Sequence, residues 1–174
     1  MIGIQDYLKM ADVRRCSGIK LLRSYDLMRH SFMVAMLFQH FASLEKIQYT
    51  ADVLNIVLKH DLLEVKTGDL LEPVKSFSKR TRSAWNTIEK QIMGGNEGFE
   101  EFSDQHIKDT LTEQQHDLFK CCDCLELWIF IVEEMKLGNR TEDVNRIFRL
   151  VGSDILAFGF QSIIEFVNGF ADYK

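Results

Sequence analysis

The stretch ADVLNIVLKHDLLEVKTGDLLEPVK, residues 51–75, decides how this chain reads. Val53, Ile56 and Val57 recur at the spacing of one helical face, and His60 continues that face one turn on. His60 is followed at once by Asp61. Near a helix end, adjacent imidazole and carboxylate groups grip one cation from neighbouring directions, and Glu64, one turn later, stands where it touches water on that cation. The turn Thr67-Gly68-Asp69 and the segment Pro73-Val74-Lys75 add an acid and a lysine. The same His-Asp pair recurs at His116-Asp117, in QQHDLFK, with nothing chemical around it, so the chain carries its own control for chance.

A single proline and long apolar-periodic segments predict an all-α chain, a compact helical bundle forming one domain over residues 1–174. Helices are expected over much of residues 3–12, from about Asp26 to Leu44 and from about Ala51 to Leu63. Pro73 fits the first turn of the next, which Gly94-Gly95 ends. Residues 94–110 read as a polar loop. Thr112-Glu113 open a helix that reaches about Leu137 before Gly138-Asn139 stops it, and a last amphipathic helix runs from about Glu142 through Phe170.

This periodicity turns three ionisable residues inward. His30 shares a face with Met33, Val34, Leu37 and Phe41; His60 shares one with Val53, Ile56 and Val57; Asp123 lies between Phe119 and Leu127. A buried carboxylate is costly without a partner, and one cation satisfies it together with both imidazoles. A lone inward histidine is ordinarily a hydrogen-bonded core residue, the reading given to His40 beside Met36, Leu37 and Leu44.

The formal charge of −5 excludes a generic duplex-DNA binder, since no basic stripe exists to displace counterions. A small phosphorylated ligand needs only two or three cations. The N-terminal residues do not read as a signal peptide, and the greasiest run, Leu125 to Val132, is interrupted by Glu126 and far too short for a bilayer. The expectations are no membrane, no nucleic-acid polymer and a cytoplasmic location, host cytoplasm if phage-encoded. Cys121, Cys122 and Cys124 cluster at helical spacing and Cys16 stands apart, a pattern read as buried packing residues rather than a zinc site.

The order Arg15, His30 in MRHSFMVAM, HDLLEVKTGDLLEPVK, and Asp123 in KCCDCLELWIFIVEE resembles the HD-domain 5′-deoxynucleotidases of bacteria. It is also similar to the shorter phage HD phosphohydrolases that degrade dATP where adenine is replaced by 2-aminoadenine. The resemblance covers residues 13–140. It implies that His30, His60, Asp61 and Asp123 bind a divalent transition-metal cation (Zn, Mn, Co, Fe or Ni), and that Glu64 orients or deprotonates the attacking water. It further implies that Asp69 is a second acid near the substrate and that Arg15 and Lys75 hold phosphate oxygens, with Cys16, Ile19 and Pro73 also lining the substrate site. A homo-oligomer, dimeric or hexameric, follows from the same likeness, and Phe158, Phe160, Phe166 and Phe170 offer it apolar surface.

Two departures stand out. The family commonly has Glu directly before its first metal histidine, where this chain has Arg29. Bacterial members typically have Trp after the phosphate-binding Arg, where this chain has Cys16. The second departure and the compact length favour a dATP triphosphohydrolase, releasing deoxyadenosine and triphosphate and taking further divalent cations with its substrate. The alternatives are a 5′-deoxynucleotidase acting on monophosphates and a catalytically silent nucleotide-binding regulator.

Overall fold

Helix signals in this chain are strong where a capping residue precedes an apolar-periodic run, and those runs form the bundle. In the computed structural model, which describes residues 2–70 and 77–171, the helices are α1 (Ile4–Lys9), α2 (Leu27–Leu44), α3 (Ala51–Lys59), α4 (Glu64–Thr67), α5 (Lys79–Gly94), α6 (Asp104–Thr110), α7 (Glu113–Lys136), α8 (Glu142–Phe158) and α9 (Gln161–Ala171). A 3₁₀ turn, Phe99–Phe102, precedes α6. No strand occurs among the described residues; one isolated bridge joins Arg14 to Asp26. Asp26, Thr50, Ser78, Ser103 and Thr112 each cap the following helix by accepting a backbone N–H, and Thr112 forms a capping box with Gln115.

The long helix α7 is the spine. It packs along α8 on one side and α2 on the other, and α2 in turn packs on α3. Val34, Phe38, Phe41, Val57, Phe119, Leu125, Trp128 and Ile155 fill the main core between them. Gly152 permits α8 to pass close to α7, because a Cβ there would sit 3.1 Å from Trp128 Nε1. Two smaller clusters flank this core, one around Leu27, Leu62, Leu63 and Phe99, the other around Cys16, Tyr25, Phe130 and Val144.

Several boundaries differ from the sequence expectation. The last helix is two: Gly159 adopts φ 78°, closing α8 and turning the chain back, so that Ser162 donates its backbone N–H and hydroxyl to Glu45 at 2.9 and 2.5 Å. This reversal folds Phe158, Phe160, Phe166 and Phe170 against the main core, where they are partly buried, instead of leaving them as free apolar surface. The polar loop contains the 3₁₀ turn and α6, anchored by buried Phe99, Phe102 and Ile107. Helix α3 stops at Lys59, with His60 as its C-cap. The helix start expected at Pro73 lies outside the described residues; the described part of the following helix begins at Lys79 behind the Ser78 cap. His40 is exposed on α2, its ring edge-on to Phe41, because Phe38 and Phe41 take the inward positions. All four cysteines are free; Cys16, Cys121 and Cys122 are buried, and burial pushes the Cys121 and Cys124 thiols up to about 12.

Residues between α1 and α2 cross the bundle as an irregular strap held by one buried carboxylate. Glu134 accepts the backbone N–H groups of Leu22 and Arg23 at 2.7 and 3.1 Å, Arg23 Nε at 3.2 Å and the Asn139 amide at 2.9 Å. Burial disfavours its ionised form, but these donors prevail and hold the carboxyl below its ordinary value of 4.5. Its stabilising contribution is therefore present above that pH and is lost as pH falls. Glu134→Ala strands the donors and is expected to lower unfolding free energy by about 3 kcal/mol at pH 7, read by urea denaturation; a change under about 0.5 kcal/mol, the range of ordinary surface substitutions, would contradict this.

Candidate metal centre

The inward face of α3 ends at His60, and the chain then makes a tight turn, with Leu62 N–H on Lys59 O and Glu64 N–H on Asp61 O, both at 2.9 Å. Leu62 and Leu63 plug into the second cluster, which fixes the turn. His30 enters from the first turn of α2 and Asp123 from the middle of α7. His30, His60 and Asp61 offer ligand atoms within 4.8 Å of one another. Asp123 Oδ1 lies 3.2 Å from His30 Nε2, while Asp61 Oδ2 is 3.5 Å from His30 Nε2 and 3.3 Å from His60 Nε2. The two imidazole centroids are 5.3 Å apart.

Both rings present the same nitrogen. His60 Nδ1 donates to the Val57 carbonyl at 2.8 Å, which leaves Nε2 as the acceptor. His30 Nδ1 lies 2.6 Å from Glu126 Oε2, a carboxylate that accepts the Nδ1–H hydrogen bond and so leaves Nε2 facing the cluster. Each Nε2 is buried without a well-formed hydrogen bond among the described residues. Two imidazole lone pairs facing two carboxylates suit a divalent transition cation better than calcium, so the residues fit such an ion.

Without a cation, burial and Arg15 oppose protonation of His30, but the Asp123 and Glu126 carboxylates outweigh them and raise its pKa to about 9. Burial opposes ionisation of Asp61 as well, yet the two histidines and Arg15 hold it well below the usual carboxylate range. At pH 7 a cation must therefore displace a proton. Its apparent affinity is expected to rise about tenfold per pH unit until near pH 9, measured by calorimetry in buffers of different ionisation enthalpy; affinity independent of pH between about 6 and 8 would contradict the proton displacement.

Arg15 sits on the strap beside this group, its guanidinium 2.5 Å from Asp61 Oδ2 and 3.9 Å from Glu64 Oε2. Glu64 stands at the start of α4, half-buried. Asp69 lies on the turn after Gly68, which takes φ 73°, and its Oδ2 accepts the Cys16 backbone N–H at 2.8 Å, fastening the Arg15-Cys16 strap to that turn. The structure thus brings together His30, His60, Asp61, Asp123, Glu64 and Arg15, with Asp69 at their edge. Cys16 and Ile19 pack instead with Tyr25, Phe130 and Val144, and burial pushes the Cys16 thiol up to about 11, so the geometry gives these two a packing role. Pro73 and Lys75 lie outside the described residues. The control pair behaves as one, with His116 Nδ1 3.8 Å from Asp117 and no other ionisable group paired to it among the described residues.

The family described as 5′-deoxynucleotidase YfbR-like matches residues 5–173. The chain belongs to this family. A 5′-deoxynucleotidase of Klebsiella pneumoniae is 27% identical over 146 residues, covering 71% of this chain and 72% of that protein. The 5′-deoxynucleotidase YfbR of Salmonella arizonae is 27% identical over 143 residues, with the same coverage of 71% and 72%. Among solved structures, an HD-domain phosphohydrolase of Listeria innocua matches with a TM-score of 0.77 at 18% identity, covering 95% of this chain and 84% of that one. The cyanophage S-2L HD phosphohydrolase DatZ, bound to dA and one catalytic Zn2+ ion, matches with a TM-score of 0.66 at 16% identity, covering 89% and 83%. At these identities the structural matches establish the shared helical fold of the YfbR-like chain. No helix among its described residues is long and apolar enough to cross a membrane.

Two residues at this YfbR-like centre were not singled out by the sequence reading. Glu126 is buried against His30 and Tyr25. Lys120 lies one turn before Asp123, its ammonium held charged, against the cost of burial, by Asp123, Asp104 and Asp61. Each was visible as a charged residue at i±3 from Asp123, on the face of α7 that carries it.

Proposed function

We propose that this chain is a single-domain, metal-dependent phosphohydrolase that cleaves the phosphate ester of 5′-deoxynucleotides and releases the deoxynucleoside. The observation that carries the reading is the convergence of two Nε2 lone pairs and two carboxylates beside Arg15 and Glu64. A divalent cation held by His30, His60, Asp61 and Asp123 would supply Lewis acidity toward a phosphoryl oxygen and lower the pKa of water. Glu64 receives the proton of the attacking water. Arg15 turns its guanidinium from Asp61 to the phosphoryl oxygens and stabilises charge as it develops there. Lys75 is proposed to share that task, and Asp69 keeps the strap in register.

Deoxynucleoside monophosphates are the favoured substrates, because the relatives at 25–27% identity are 5′-deoxynucleotidases. The dATP triphosphohydrolase reading is second; it is supported by the likeness to a phage phosphohydrolase bound to dA and by Cys16 following Arg15. Both place attack at the α-phosphorus and share the deoxynucleoside product. Phosphorus NMR of reactions with dAMP and with dATP separates them: orthophosphate from dAMP is the expected main product, and triphosphate from dATP at a higher kcat/KM would transfer the assignment to the second reading. Absence of any deoxynucleoside would favour a silent nucleotide binder. A homo-oligomer is proposed from family likeness, with no role for the inward-turned phenylalanines of α8 and α9; a monomer by light scattering at micromolar concentration would reject it.

A further inference from the structure

We propose that Glu126 is a positioning residue of the metal centre: clamped by Tyr25, its carboxylate fixes His30 in the tautomer and orientation that direct Nε2 at the cation. The inference rests on the reading that His30 ligates a cation. Glu126 lies in the apolar run Leu125–Val132 of α7 and is 4% exposed, while His30 is fully buried. A carboxylate so placed is costly unless it is paired. Its partners are His30 Nδ1, 2.6 Å from Oε2, and the Tyr25 hydroxyl, which donates to the same oxygen. The Tyr25 ring is locked in turn, stacked on Phe130 at a centroid distance of 4.0 Å.

At the start of α2 the Tyr25 hydroxyl also lies 3.3 Å from His30 Nδ1, farther than Glu126, and the neighbouring charged residues are engaged elsewhere. Asp26 accepts the Arg29 backbone N–H as the helix cap. Arg29, the residue before His30, points its guanidinium to Glu133 at 3.7 Å and over the Phe130 ring. The two histidines thus differ: His60 is oriented by a neutral carbonyl of its own helix, His30 by an anion from α7. Because Asp123 lies one turn before Glu126, a single face of α7 supplies both a ligand and the group that orients a second ligand. Tyr25 extends the coupling to the strap, since its carbonyl accepts the Arg15 N–H at 2.9 Å. Partners of this kind commonly govern metal affinity by about 10–100-fold.

The test compares wild type, Glu126→Gln, Tyr25→Phe and His60→Ala by competition for cobalt(II) or zinc against a chelator, by the visible spectrum of the cobalt protein, and by thermal unfolding without metal. The expected result is an affinity loss of about 10–100-fold in Glu126→Gln, a smaller loss in Tyr25→Phe, and in both an altered cobalt spectrum at full occupancy. Unchanged affinity and spectrum, with only a lowered melting temperature, would make Glu126 a core carboxylate and overturn the proposal. Should Glu126→Gln fail to fold, Tyr25→Phe decides: an unaltered spectrum and affinity overturn it equally. A wild type that takes up neither metal defeats the metal reading itself, an outcome distinct from a wild type that binds while Glu126→Gln binds as well.

Discussion

His60→Ala is expected to abolish cation uptake and turnover together, while His116→Ala leaves both nearly intact. The two residues share a dipeptide context but not surroundings: His60 Nε2 is buried toward Asp61 and His30, whereas the ionisable group paired with His116 among the described residues is its own Asp117 at 3.8 Å. Loss of a direct ligand should exceed the roughly 10–100-fold affinity change typical of an outer partner. Asp123→Ala should behave like His60→Ala, because Asp123 is the only one of the four proposed ligands that ties α7 to the cation. Metal content by mass spectrometry and deoxynucleoside release check both. Equal damage from His60→Ala and His116→Ala would sink the assignment, and full occupancy in Asp123→Ala would remove α7 from the centre.

The second large effect separates chemistry from binding. Glu64 stands at the rim of the ligand group, 3.9 Å from the Arg15 guanidinium, on a turn whose Leu62 and Leu63 are anchored in the core. Glu64→Gln keeps that shape and is expected to retain the cation while losing about 10²–10⁴-fold in kcat, the usual scale for a positioned acid or base. A loss of only a few-fold at saturating substrate and verified occupancy would take Glu64 out of the reaction and leave Asp69 as the next acid to test.

The centre was legible in the sequence because helical periodicity is a strong signal on long buried faces. Val53, Ile56 and Val57 carried His60 inward, and Phe119 and Leu127 did the same for Asp123. Glu126 escaped because a single acid in an apolar run reads as an interruption; its pairing is revealed by the positions of Tyr25 and His30, 101 and 96 residues away. His40 was misread because Met36 and Leu44 beside it are themselves exposed, so an apolar neighbourhood in sequence was not an inward face. The break at Gly159 was hidden by apolar residues on both sides, since periodicity cannot report a single left-handed residue between two amphipathic helices. Cys16 was read toward substrate from family position, yet its φ of 54° and burial turn the thiol into the cluster with Tyr25.

The proposed dependence of hydrolysis at the α-phosphorus on one cation would join α2, the end of α3 and α7 in a single centre. It is tested most directly by titrating metal-free protein with cobalt or manganese while following deoxyadenosine release from dAMP and from dATP. No release is expected without metal, and release from the monophosphate is expected to rise and saturate near one cation per chain. Full release from the metal-free chain, or none from either nucleotide at complete occupancy, would contradict it.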